Sequence, residues 1–378
     1  MIITDVRTYV VSQELSGGQS FAYSQYWYNQ RTILLVEIIT DDGIFGWGEA
    51  FGPAFVNKSI IETVYKPIII GKNPLETEVI WEELYNKLRD HGQKGSPIEA
   101  LSAVDIALWD IKGKYLKQPV YMLLGGKFRD YVVPYATGLY RKNEPGTKYL
   151  LKEAEEYLKQ GFKAIKLKIG FGVEADSELV KEIRKTIGSN VLLMVDANHA
   201  YTASEALKLA EKIEKYDIFW FEEPVPPENI EGYIELKAKT NIPLAGGEAE
   251  FTRYGFERLL SRRAVDIAQP DCCVTGGISE FKKIVTLCTI NNIQCYPHIW
   301  GSSVALFTGI NVSMNIPHFP PSLTPKPMLL EFDRTENIFR ERLALNMPEL
   351  QDGKIYPNEN EGLGIEIDRE LIEKYRID

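Results

Sequence analysis

Three stretches, VLLMVDAN (191–198), IFWFEEP (218–224) and IPLAGGE (242–248), decide the fold. Each is an apolar run closed by an acidic residue, and Asp196, Glu222 and Glu248 follow one another at roughly 26-residue intervals. One strand, one helix and two loops of a β/α barrel occupy an interval of that size. The pattern therefore places the three carboxylates at the C-terminal ends of neighbouring parallel strands. Acidic residues after strands are ordinarily helix N-caps or solvated loop residues, but three in one phase point to convergence. Carboxylate oxygens without a neighbouring Cys or His suit a hard cation, Mg²⁺ rather than Zn²⁺.

The same ruler extends both ways. Upstream, GFKAIKLKIG (161–170) puts Lys166 and Lys168 on one face of a strand, because side chains alternate with period two. An edge strand would turn such a pair to solvent. A barrel strand has no solvated face, so two lysines fit only at the rim where ligands bind. Downstream, VDIAQPD ends in Asp271 and IQCYPH in His298, each about one β/α unit further on.

Carbon-acid chemistry gives this set a rationale. A proton α to a carboxylate is too weakly acidic for a side-chain base unless the resulting enediolate is stabilised, and a metal on the substrate carboxylate can supply that. Lys168 is the candidate base, its pKa expected to be lowered by Lys166. Asp271 is expected to orient His298.

These residues resemble the enolase superfamily, in its mandelate racemase and muconate lactonizing enzyme branch. ALSAVDIALWDIKGK, MLLGGK, VDANHAY, WFEEPV, AGGE and QPDCCVTGGISE are similar to signatures of that branch, and the resemblance covers nearly the whole chain. LRDHGQKG, KIGFGVEAD and LLEFDRTENIFR look most like the galactarolactone and anhydrogalactonate cycloisomerases, while acid-sugar dehydratases match at every catalytic motif. The resemblance implies Mg²⁺ on Asp196, Glu222 and Glu248, Lys168 as base on one face of the substrate, and His298 with Asp271 acting from the other. It adds Glu331, in PMLLEFD, as a glutamate at the end of the eighth strand. Asn198 is in phase with Asp196 and is expected beside the metal. His199 is out of phase.

The implied fold is a modified (β/α)7β TIM-type barrel with an α+β N-terminal capping domain that the C-terminal tail completes. Expected bounds are 1–125 for the capping domain, 126–345 for the barrel and 346–378 for the returning tail. Residues up to about 125 read as strands then helices, with a hairpin at Asp42–Gly43 between RTILLVEIIT and IFGWGEA. From VVPYATG at 132, strands alternate with amphipathic helices such as TASEALKLAEKIEKY, which opens on a capping box of Thr202 and Glu205. The Gly-, Ser- and aromatic-rich SGGQSFAYSQYWYNQ (16–30) reads as a lid, with Tyr26 and Trp27 as substrate contacts; the alternatives are an oligomer contact shared with Tyr28 and a plain surface loop. RDHGQKG, carrying His91, Gln93 and Lys94, is a second lid candidate, and His199 joins Asn198 as a substrate-contact candidate.

Composition sets outer limits. A chain of 378 residues suits a barrel plus a second domain, and a net charge of −10 without a basic block argues against nucleic acid. The four cysteines, Cys272, Cys273, Cys288 and Cys295, match neither a CxxC motif nor a zinc site. MIITDVRTYVV reads as a strand, not a signal peptide, and no segment reaches a membrane span. A cytoplasmic homo-oligomer acting on a small sugar acid is expected. The favoured reaction is dehydration of an aldonate, such as a pentonate or hexonate, to a 2-keto-3-deoxy acid. The alternative is cycloisomerisation of a lactone or anhydro acid by the same residues. A non-catalytic sugar-acid binding protein would show damage to this constellation, and none of its positions is substituted.

Overall fold

The computed structural model describes all residues from Met1 to Asp378. Its centre is an eight-stranded, wholly parallel sheet whose strand order follows the chain: Ala164–Lys168, Leu192–Asp196, Ile218–Glu222, Leu244–Gly246, Ile267–Ala268 and Gln294–Cys295 succeed one another. Val133–Gly138 precedes them, and the last strand, Leu329–Asp333, returns to pair with it in parallel. Seven strands are each followed by a helix before the eighth closes on the first, so the expected (β/α)7β arrangement is present. The strand ladder is open only between Gln294–Cys295 and Leu329–Asp333. There the Ile299 N–H instead donates to Glu331 Oε2 at 2.9 Å.

Strand register explains why the acidic residues converge. Lys168 pairs with Asp196, and Asp196 with Glu222, so three ionisable side chains sit side by side at one height. Glu222 pairs with Ala245, which leaves Glu248 in the loop two residues beyond its strand. The helix Ala203–Ile213 opens on the Thr202/Glu205 capping box read from the sequence.

Ahead of the barrel, Ile3–Glu14, Gln30–Thr40 and Phe45–Ala50 form an antiparallel sheet, with the hairpin at Asp42–Gly43. The helix Ser96–Leu116 packs on this sheet so closely that Gly46 and Gly48 meet its backbone; a Cβ on Gly48 would lie 1.9 Å from the Ala103 carbonyl oxygen. The C-terminal segment runs back to this region: Ile377 N–H donates to the Val10 carbonyl at 2.9 Å, and Leu363 N–H donates to Asp110 at 2.8 Å. The loop 16–30 reaches from the antiparallel sheet over the barrel mouth, where Ser24 and Gln25 donate to the Asn198 carbonyl. All four cysteines are buried and unpaired. No helix is long and apolar enough to cross a membrane.

Candidate active site

A cavity of about 160 Å³ opens at the C-terminal ends of the barrel strands. Lys168, Asn198, His199, Glu248, His298 and Glu331 line it, and Asp196, Glu222 and Lys166 lie buried directly beneath. One oxygen from each of Asp196, Glu222 and Glu248 falls within 4.8 Å of the others. Trp220 and Gln269 donate to Glu222 Oε2 at 2.8 and 2.9 Å, fixing that carboxylate. Glu248 Oε2 is buried without a hydrogen-bond partner. Three converging carboxylates, one with an unused buried oxygen, fit a divalent cation and would have their mutual repulsion relieved by it.

Two lysines balance these acids. Lys166 Nζ lies 2.6 Å from Glu222, 2.8 Å from Glu331 and 3.6 Å from Asp196, with no exposure to solvent. Lys168 Nζ donates to Asp196 and, at 2.9 Å, to Asn198 Oδ1. Here one expectation is corrected. Burial is the strongest single influence and pulls the Lys168 pKa down, and Lys166 adds to that pull, but Asp196, Tyr140 and Glu248 together outweigh them and the pKa stands above that of an ordinary lysine. Contact with an anion beats a more distant like charge. For the same reason Asp196 is held below the usual carboxylate range despite its burial. Burial pushes Glu222 up to about 7 against the pull of Lys166, and neighbouring acids add to the rise.

On the far side of the cavity, His298 Nδ1 is 2.7 Å from Asp271 Oδ2, and its Nε2 is 3.4 Å from Glu248 and 3.9 Å from Glu331. Burial disfavours the imidazolium, yet Glu248, Glu331 and Asp271 together raise its pKa to about 10. These three carboxylates favour the protonated ring, which can then donate from Nε2. Glu331 also accepts from Thr137 at 2.7 Å; Lys166 and His298 hold it well below the usual range in spite of burial.

Asn198 donates to Glu248 at 3.2 Å and accepts from Lys168, so it stands beside the carboxylate triad. His199 Nε2 sits 3.1 Å from Glu223, a buried glutamate that the sequence reading did not single out. Tyr26 and Trp27 are not brought to the cavity: both are exposed on the outer side of their loop. A loop of consecutive aromatics cannot turn every side chain inward, and here Tyr23, Gln25 and Tyr28 line the cavity instead. Lys94 is tied to Glu250, and neither His91 nor Gln93 reaches the cavity. Phe51, Tyr140 and Trp300 complete the lining. Trp300 was findable, being two residues past His298, and Tyr140 follows the first barrel strand as Asp196 and Glu222 close theirs.

Residues 6–125 match the family Mandelate racemase / muconate lactonizing enzyme, N-terminal domain, and residues 149–371 match Enolase C-terminal domain-like. The chain belongs to the mandelate racemase and muconate lactonizing enzyme branch of the enolase superfamily. It is 42% identical to D-galactarolactone cycloisomerase of Agrobacterium fabrum over 378 residues, covering 100% of this chain and 99% of that one. It is 34% identical to arabinonate dehydratase of Saccharolobus solfataricus, covering 99% of each. Among solved structures it superposes with TM-score 0.90 and 42% identity on the 3,6-anhydro-D-galactonate cycloisomerase from Zobellia galactanivorans, covering 100% of both chains.

Proposed function

We propose that the protein is a Mg²⁺-dependent sugar-acid lyase that removes the proton α to a carboxylate and eliminates the oxygen at the β carbon. The observation that carries this is the facing of Lys168 and His298, from the second and seventh barrel strands, across one cavity floored by three carboxylates. Asp196, Glu222 and Glu248 would hold the cation, whose hardness suits an all-oxygen set. Bound there, it supplies electrostatic stabilisation of the charge that develops on the substrate carboxylate.

The chain's own residues perform the proton transfers. Lys168, once its proton is released, accepts the α-proton at Nζ; Asn198 holds that nitrogen in place through the 2.9 Å contact. His298 Nε2 donates its proton to the departing oxygen, and Asp271 on Nδ1 fixes the tautomer and supports the imidazolium. Lys166 pairs with Glu222 and Glu331 and holds both carboxylates in line beneath the cavity. The loop 16–30, through Tyr23, Gln25 and Tyr28, limits the access of water to the cavity. Association of copies of the chain belongs to the same reading, and the exposed Tyr26 and Trp27 support it.

The leading reading is dehydration of a linear aldonate to a 2-keto-3-deoxy acid, supported by the likeness to arabinonate dehydratase over the whole chain. Cycloisomerisation, in which the departing oxygen is tethered and stays in the product, is the second reading. The 42% identity to D-galactarolactone cycloisomerase favours it. Product mass separates the two. Loss of one water from a pentonate or hexonate supports dehydration, whereas an isomer of unchanged mass formed only from a lactone or anhydro acid supports cycloisomerisation. Absence of α-proton exchange with solvent deuterium across all these compounds would overturn both.

A further inference from the structure

The stretch LLEFDRTENIFR (329–340) carries Glu331 on the last barrel strand, and the residues after it meet the loop 16–30 at both of its ends. Asp333 Oδ2 accepts from the Arg31 guanidinium at 2.7 Å, and Thr335 Oγ1 accepts from the same nitrogen. Glu336 accepts from the Ser16 N–H at 3.2 Å, from the Ser16 hydroxyl at 2.8 Å and from Gln13 Nε2 at 3.0 Å. Ser16 opens the loop and Arg31 follows its last residue. The short segment 333–336 therefore grips the loop where it leaves the antiparallel sheet and where it returns.

Arg31 adds a second hold. Its buried guanidinium lies 5.0 Å from the ring of Phe21, inside the loop, and 3.9 Å from the ring of Trp300, two residues past His298. Phe21 stacks on Tyr28 at 5.4 Å, and Tyr28 and Phe51 lie 5.0 and 5.9 Å from Trp300, centroid to centroid. One arginine thus backs the aromatic wall of the cavity. The same stretch holds the His298 loop: Asn337 Nδ2 and Arg340 Nε each donate to the Gly301 carbonyl at 3.1 Å, and Arg340 Nη2 to the Ile299 carbonyl at 3.2 Å. Bonds to charged groups are stronger than neutral ones, and a flat guanidinium stacks on rings as an ammonium cannot.

We propose that Arg31 and Glu336 are positioning residues which, with Asp333, register the loop 16–30 against the His298 loop and so set Tyr23, Gln25 and Tyr28 over the cavity. Neither side chain lines the cavity, so both act through the loop. The clamp stands on these contacts, and its effect on turnover rests on the lyase reading above.

Hydrogen exchange of the Mg²⁺-loaded full chain reads the clamp without turnover. The constants kcat and KM are measured on whichever pentonate, hexonate, lactone or anhydro acid is consumed. Glu336→Ala, at a half-buried position, is expected to speed amide exchange across residues 15–30 by about tenfold and to leave the barrel strands unchanged. Arg31→Lys keeps a charge beside Asp333 but loses the flat stack, and the same change is expected. In both variants KM should rise about tenfold with a smaller fall in kcat, since the loop covers bound substrate. Glu336→Gln retains an acceptor and should bring both readouts back to within about threefold of the unmodified chain. Faster exchange confined to the loop, with no compound consumed by any form, would support the clamp and refute the lyase reading alone. Unchanged loop exchange in both Glu336→Ala and Arg31→Lys would overturn the clamp even where turnover upholds the lyase reading. Exchange that rises equally in the barrel strands, or that rises in the loop while KM stays within about twofold, would overturn the positioning role.

Discussion

Two sets of buried carboxylates in this chain are satisfied in different ways. At the barrel mouth, Asp196, Glu222 and Glu331 are held by the ammonium groups of Lys166 and Lys168. Where the N-terminal region meets the barrel, Glu49 and Asp105 accept hydrogen bonds at the starts of barrel helices. Glu49 takes the N–H groups of Ser302 and Ala305 at 2.8 and 3.0 Å, and Asp105 takes the Ser279 N–H at 2.9 Å and its hydroxyl at 2.6 Å. Backbone donors at a helix start are fixed, so these acids serve one arrangement. At the mouth the partners are side-chain ammonium groups, and in the proposed reaction Asp196 and Glu222 would share their charge with a metal as well. A buried acid alone thus says little about function; whether its partner is a fixed backbone donor or a charged side chain says more.

The largest effects are expected at the mouth. Lys168→Ala and His298→Asn should each lower turnover by about 1,000-fold or more, with one of the two still exchanging the α-proton in deuterium oxide. NMR of the substrate during incubation identifies which group takes the proton. Near-normal turnover in both variants would remove the distinction between the two sets.

Next comes the metal. Chelation should abolish activity, and Mg²⁺ should restore it and raise the melting temperature, by the equivalent of about 2.7 kcal/mol at a hundredfold excess over Kd. Glu222→Gln should weaken that thermal response, and calorimetry with and without Mg²⁺ checks it. A response in Asp105→Ala equal to that of the unmodified chain would confirm that only one set of acids is open to the ion.

At the junction, the expected effect is on stability. Asp105→Ala leaves the Ser279 N–H without its acceptor, which should cost about 2 kcal/mol in urea unfolding while kcat stays within about twofold. A loss of kcat larger than the loss of stability would mean the two regions are coupled.

A smaller, signed effect is expected with pH. Burial raises the Asp105 pKa to about 7 against its bonds to Ser279, whereas an unfolded chain returns it to about 3.9. The folded chain keeps the proton longer, so this group's contribution to stability is full below about pH 4 and lost as pH rises to 7. Asp105→Asn should therefore show a flatter fall in stability between about pH 4 and 7, measured by urea midpoints. The smallest effect is expected from Tyr26→Ala, whose side chain faces outward: kcat/KM should change by less than about twofold.

Much of the mouth was legible because strand periodicity and a parallel β/α repeat project one residue per strand onto one rim. Lys168, Asp196 and Glu222 are related by that rule alone, with Lys166 on the same face two residues before Lys168. The aromatic wall was not. Tyr23 and Tyr28 lie in a loop with no repeating geometry, where neighbours as close as Trp27 and Tyr28 point to different surroundings. Glu223 escaped because it follows a metal-ligand candidate and reads as its duplicate. The direction of the Lys168 shift was also out of reach, since it depends on whether Asp196 or Lys166 stands closer.

What the sequence determined by itself is the barrel, the order of its strands and the acid, base and metal-ligand candidates along its rim, because these follow from local periodicity and a repeat of nearly constant length. What only the tertiary structure decided is how the charges pair and which loop residues enclose the cavity. Those are set by contacts between segments as distant as Arg31 and Asp333, and Coulomb interactions and burial depend on ångström-scale distances that no spacing along the chain encodes.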